Sequence, residues 1–401
     1  MEKEDESTKY SVAYTFQAVT RHNPDKMKAH AAQAMPLAFL AMHETKSETN
    51  EDILDVWDEV WTDGTPGTES GIRLYLKELV ALLSNALESQ QWKMKAQAAR
   101  AMGAIGAKMK SQIPAKEQGT LLIQLIEALS GRTWSGKEAI LVSVKELICA
   151  NAENIQKMLE NPDEPLTEEV LMKCLLRECG KERLEYKIVA LNSTSKILRA
   201  LDLDYFKALY EMLLPFIRKA MDDKNESDES KKKDKDEDET ETFSLDLQLA
   251  SVECLGEAWP ESPETQRHFV EEFLHVLDAM IQNTTRQLQL AITTTVGHLV
   301  SSYNLNAEVD LQVFEKIGTT LAFALSMPKN SQLRSKALEV LDQSLDLLEK
   351  SSDQKIQDDF KALVGKSLDD VIKDLATDAA IKDKARKTKK RIHTLNQMDC
   401  D

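Results

Sequence analysis

Gly131, Gly136 and Lys137 stand at the spacing of a phosphate-binding loop, within the stretch SGRTWSGKEAIL from Ser130 to Leu141. In such a loop backbone amides cradle phosphates, the lysine reaches the terminal phosphates, and a Ser or Thr hydroxyl ligates Mg²⁺. Here Glu138 occupies the hydroxyl position. A carboxylate at a helix N-terminus suits the helix dipole, but it repels the anion that the loop would hold. A phosphate loop also needs a preceding strand in a parallel sheet. The segment GTLLIQLIEAL before Ser130 instead sets Gln124 and Glu127 among leucines at helical spacing, and no βαβ alternation follows. We therefore read 131–136 as a turn between two helices, with Glu138 in the first turn of the second. Trp134 and Lys137 on this turn are the candidate partner-binding residues, packing being the alternative role for Trp134.

The remaining reactive side chains form no constellation. Among seven histidines there is no HExxH, and His268 and His275, seven apart, have no carboxylate pair or cysteine at ligand spacing beside them. A structural or solvated role is expected for both. The five cysteines lack CxxC spacing. Cys149, Cys174, Cys179 and Cys254 fall at apolar-face positions and read as small core residues. No G-x-S-x-G elbow occurs, and carboxylates at i, i+4 are expected on any solvated helix. The reading is a protein that is not an enzyme, with no catalytic residues, no metal and no cofactor.

The elements that carry these residues are helices. Apolar residues make up 42% of the 401, aromatics only 5%, and 13 Gly with 10 Pro are too few for the turns of an all-β chain. Two segments align directly: LQLASVECLGEAW from Leu247 and LQLAITTTVGHLV from Leu288, each with glycine at the tenth position. The same frame fits segments starting at Met27, Met94 and Leu333, and more loosely at Gly136, Tyr186 and Ile381. Most starts lie 41 to 50 residues apart, the period of HEAT and armadillo repeats with two helices per unit. Partner helices are expected between copies, as in YFKALYEMLLPFIRKAM and LQVFEKIGTTLAFAL. The expected fold is all-α, an α-solenoid of about eight HEAT/armadillo-like repeats. Such stacked pairs offer a long surface for protein partners.

The net charge of −17 is unevenly placed. Residues 222–241 carry eleven acids and five lysines, residues 2–6 add −3, and the other 376 residues hold −8. That balance disfavours nonspecific binding to nucleic acid or anionic membrane. No run approaches the ~18 apolar residues of a membrane span, and a soluble, intracellular protein is expected. The expected organisation is a disordered acidic head (1–9), repeats (10–221), a disordered charged loop (222–242), repeats ending in a basic helix (243–395) and a tail (396–401). The basic run KDKARKTKKR (382–391) reads first as the outer face of a capping helix. Its functional readings are a nuclear import signal or a landing site for an acidic partner.

Several stretches resemble one family more closely than any generic repeat: MPLAFLAMHE (35–44), DVWDEVW with TPGTESGIRLY (55–75), QWKMKAQAARAM (91–102), GRTWSGKEAIL (131–141), KERLEYKIVAL (181–191) and LGEAWPESPETQR (255–267). Together they resemble the C-terminal part of the proteasome adaptor and scaffold family of large HEAT-repeat proteins. The long N-terminal portion of that family has no counterpart here, and a frayed first repeat is expected because nothing before Tyr10 caps it. The resemblance implies a non-catalytic scaffold that bridges the proteasome's regulatory and core particles and serves assembly quality control. It also implies links to endoplasmic reticulum, endosomes and motor proteins, and a cytoplasmic and nuclear location. The alternative is a repeat scaffold for transport or phosphatase assembly.

Overall fold

The computed structural model describes residues 2–47, 50–222, 235–306, 309–351 and 353–394, with the backbone alone described over 2–6, 219–222 and 235–244. The chain divides at Leu201 into two compact units. The first comprises α1 (Glu2–His22), α2 (Pro24–Ala29), α3 (Ala31–Ala41), α4 (Glu51–Gly64), α5 (Thr68–Leu74), α6 (Leu76–Leu87), α7 (Trp92–Met109), α8 (Ala115–Ala128), α9 (Glu138–Ala150), α10 (Ala152–Leu159), α11 (Glu168–Cys179) and α12 (Leu184–Leu201). The second comprises α13 (Phe206–Asp222), α14 (Lys235–Glu257), α15 (Pro263–Ile281), α16 (Arg286–Ser302), α17 (Asp310–Ser326), α18 (Ser331–Leu348), α19 (Gln354–Lys373) and α20 (Ala379–Thr394). Among the described residues there is no strand.

The sequence copies become one row of stacked helices in each unit. In the first, α3 packs on α7, α7 on α9 and α9 on α12; in the second, α14 packs on α16, α16 on α18 and α18 on α20. The intervening helices form the other row, with α6 against α8, and α13, α15, α17 and α19 in succession. Each helix alone would leave an apolar stripe wet, and stacking buries it: Ala98, Met102, Ile105 and Met109 of α7 are all in the core.

A shared contact explains the glycine at the tenth position. A Cβ on Gly103 would lie 2.7 Å from Ser143 Oγ, one on Gly256 2.5 Å from Thr295 Oγ1, and one on Gly297 2.9 Å from Val340 Cγ2. Ser143, Thr295 and Val340 each stand at the eighth position of the next copy. Where that residue has a hydroxyl, it ties the two helices together. Ser143 Oγ donates to Ala99 O at 2.6 Å and Thr295 Oγ1 to Val252 O at 3.1 Å, the acceptor being the sixth residue of the preceding copy in both cases. Close approach and a buried hydrogen bond thus fix the stacking register.

Some expectations are corrected. The stretch TDGTPGTESG (62–71), which reads as a Gly/Pro/Ser/Thr loop, is mostly helical: α4 runs to Gly64, α5 starts at Thr68, and only 65–67 lie between them. Gly67, with φ +116°, makes that short reversal. The Met27 copy is broken at His30 between α2 and α3. The backbone of helix α1 is described from Glu2 onward. Of the expected charged loop, 223–234 lies outside the described residues and α14 begins at Lys235; Cys400 and the tail 396–401 also lie outside them. Cys174, Cys179 and Cys254 are buried, but Cys149 is exposed, its Sγ near Lys196 O. His268 and His275 are both exposed.

Candidate functional site

The turn between α8 and α9 is built on two glycines in the left-handed region, Gly131 (φ +84°) and Gly136 (φ +102°). Nothing lies within 4 Å of a Cβ built on Gly131, so backbone conformation, not space, requires glycine there. The amide of Gly136 donates to Glu138 Oε2 at 3.0 Å. The side chain at the hydroxyl position therefore takes an amide that a phosphate loop would offer to its ligand.

Lys137, a contact candidate in the sequence, points inward and is fully buried. Its Nζ donates to Leu129 O at 2.7 Å and to Glu178 Oε2 at 3.0 Å, and sits 5.7 Å from the centre of the Tyr186 ring. Tyr186 Oη donates to the same carboxylate oxygen at 2.7 Å, and Arg177 Nε to Oε1 at 2.9 Å. Burial pushes the Glu178 carboxyl up, but the donors Tyr186, Lys137 and Arg177 outweigh it and hold it below the ordinary carboxylate range. Burial draws the Lys137 ammonium down against the pull of Glu178, and it drives the Tyr186 phenol far up, so that hydroxyl stays a donor. The lysine of the phosphate-loop pattern is thus a structural cation sealed inside the protein.

The same role recurs along the chain. Lys137, Gln289 and Arg334 are each the second residue of their copy. Gln289 Nε2 donates to Ile281 O at 3.2 Å and Arg334 Nε to Leu325 O at 3.0 Å, just as Lys137 reaches Leu129 O. Each caps the C-terminal carbonyls of the helix before it, which lack intrahelical donors. Arg334 also repeats the second bond: its Nη1 donates to Asp374 Oδ2 at 2.6 Å.

The surface feature of this turn is aromatic. Trp134 is half-buried and stacks on Trp92 at the start of α7, with ring centres 5.0 Å apart and planes at 28°. Trp92 is 49% exposed, and Lys95 Nζ lies 5.6 Å from its ring centre. The pair borders a cleft of ≈ 430 Å³ with Leu87, Glu88, Glu127 and Ala128, at the C-terminal ends of α6 and α8. Sequence pattern does not single out Trp92 as a site residue, although it opens the WKMKAQ block; its stacking partner lies one repeat further on. Among the described residues no group of His, Cys, Asp and Glu is placed to hold a metal ion, and no helix is long and apolar enough to cross a membrane.

Paired helices stacked through a recurring glycine–hydroxyl contact, with three of the turns capped from the following helix, define an armadillo- or HEAT-like repeat protein. Residues 152–374 match the family described as ECM29, C-terminal ARM-like repeats. That is more than half of the chain, and the chain belongs to this family. It is 34% identical over 366 residues to human "Proteasome adapter and scaffold protein ECM29", covering 88% of this chain and 19% of the relative. It is 29% identical over 289 residues to the Drosophila melanogaster "Proteasome-associated protein ECM29 homolog", covering 70% and 15%. The chain thus spans less than a fifth of the length of these relatives. Among solved structures, yeast importin-beta (Kap95p) is similar at TM-score 0.46 and 12% identity, covering 97% of this chain and 50% of that one.

Proposed function

We propose that the chain is a non-catalytic scaffold that binds the proteasome, contacting its regulatory and core particles and supporting assembly quality control. The observation that carries this reading is the family membership itself, joined to one relative named as a proteasome adapter and scaffold and another named as proteasome-associated. The geometry agrees: the one phosphate-loop pattern holds its lysine in a buried ion pair, while the turn around it exposes tryptophan. Tryptophan and arginine dominate the energetics of protein–protein contacts, and exposed Trp92 stacked on Trp134 is a surface of that kind. In this reading Trp134 and Trp92 touch a proteasome subunit and Lys137 only holds the turn that carries them. Endoplasmic reticulum, endosomal and motor proteins are further partners reached in the cytoplasm and nucleus, without insertion into membrane and without nucleic acid.

The test is a pull-down of tagged 1–401 from lysate, with mass spectrometry of the captured proteins. Regulatory- and core-particle subunits are expected. Transport factors or phosphatase subunits in their place would overturn the proteasome reading and leave the repeat fold standing.

A further inference from the structure

Helix α20 concentrates seven bases and one acid between Lys382 and Arg391, in a chain of net charge −17. Its inner face is settled: Ile381, Ala385, Thr388 and Ile392 are buried, and Thr388 Oγ1 donates to Asp342 Oδ1 at 2.8 Å. Part of the charge is also neutralised at home. Lys389 pairs with Asp369, Arg391 with Asp346 and Glu349, and Lys387 with Asp383. Lys382, Lys384, Arg386 and Lys390 have no ion pair among the described residues.

Three of these four form a line. Lys382, Arg386 and Lys390 recur every four residues; Lys382 is half-buried at the flank of the buried stripe, and Arg386, Lys390 and His393 are exposed on the same line. Like charges at this spacing repel along a helix, and the single carboxylate beside them, Asp383, also pairs with Lys387, so the row keeps an excess of positive charge that an anionic ligand relieves. The helix beneath it is anchored in the core, and the row is therefore presented on a rigid element with no ordering of backbone needed on binding. No aromatic residue interleaves with the cations, so the surface has nothing on which to stack a base.

We propose that the Lys382–Arg386–Lys390 row is a docking surface for an acidic polypeptide segment of a partner protein, rich in Asp and Glu. Extended or helical acidic chains place carboxylates at intervals that a row of three cations, about 6 Å apart on successive turns, can meet. The inference is independent of which large assembly the protein serves.

The experiment uses the full chain and a fluorescein-labelled peptide of about ten glutamates, followed by fluorescence anisotropy at ~100 mM salt and again at ~300 mM. Saturable, salt-sensitive binding is expected. The variant Lys382→Glu/Arg386→Glu/Lys390→Glu should weaken it at least about tenfold while far-UV helicity is unchanged. A control with the same charge change at exposed lysines elsewhere, Lys77→Glu/Lys116→Glu/Lys173→Glu, should stay within about twofold. Equal loss in the two variants, no saturable binding by the native chain, or tighter binding of a single-stranded RNA of equal length would each overturn the proposal.

Discussion

The Nζ of Lys137 lies 3.0 Å from Oε2 of Glu178, one repeat further along the chain, and both side chains are fully buried. Two charges in the interior are stabilised only where their hydrogen bonds are complete. Here Leu129 O takes a second ammonium proton, and Tyr186 and Arg177 supply the carboxylate with donors. The pair welds the α8–α9 turn to α11, and so fixes the loop on which Trp134 stands.

Breaking one side of this pair leaves the other charge buried and alone. Glu178→Gln or Lys137→Met should each lower stability by about 3–5 kcal/mol. The double variant Lys137→Met/Glu178→Gln should lose clearly less than the sum, since neither charge is then stranded. Urea denaturation of the four proteins measures the coupling; additive losses would show that the pair is not a unit.

Gly256 sets a second test, because the stacking register needs its missing side chain. Gly256→Ala places a Cβ against Thr295 Oγ1 and should destabilise by about 1–3 kcal/mol. Gly365→Ala, at a helical position with nothing within 4 Å, should instead stabilise by about 0.5–1 kcal/mol. Opposite shifts in the urea midpoint are the expected outcome; equal shifts would remove the close-approach explanation of the repeat glycine.

Much of this is legible in the amino-acid sequence alone. The frame through Gly256 and Gly297 places a row of stacked helices, and Glu138 in place of a hydroxyl marks 131–136 as a turn. The fate of Lys137 is not legible there, because burial depends on Glu178 and Tyr186 arriving from other helices. A cue is present all the same: the second position of all eight copies holds a hydrogen-bond donor (Lys28, Lys95, Lys137, Lys187, Gln248, Gln289, Arg334 and Lys382), and Lys137, Gln289 and Arg334 use it on a preceding helix end. The Trp92–Trp134 stack is hidden for the same reason, its halves standing on different repeats. Helix α19 falls between two copies without resembling either, since it belongs to the other row.

Asp374 supplies the pH dependence. The hydrogen bond from Arg334, then the Ala376 amide and the Thr377 hydroxyl, hold its carboxyl down at about 2. A folded-state pKa below the unfolded one stabilises the fold above the unfolded value, ~4, and the contribution fades as pH falls toward the folded value. Asp374→Asn should therefore lower Tm by about 3 °C near neutral pH, with the gap between native and variant closing from pH ~4 to ~2. A gap that persists unchanged through that range would assign the loss to packing and not to charge.

The contact surface itself is tested by native-gel titration of purified regulatory and core particles with the native 1–401 chain and with Trp92→Ala/Trp134→Ala. Trp92 is 49% exposed and Trp134 half-buried on the turn, so the double change should leave helicity intact, which far-UV circular dichroism checks before binding is compared. The native chain should shift the particles, and the double variant should bind at least about tenfold more weakly, the loss of two anchor tryptophans. A native chain that leaves both particles unshifted while fully folded, or a double variant that binds as tightly as the native one, would contradict a proteasome contact at this turn.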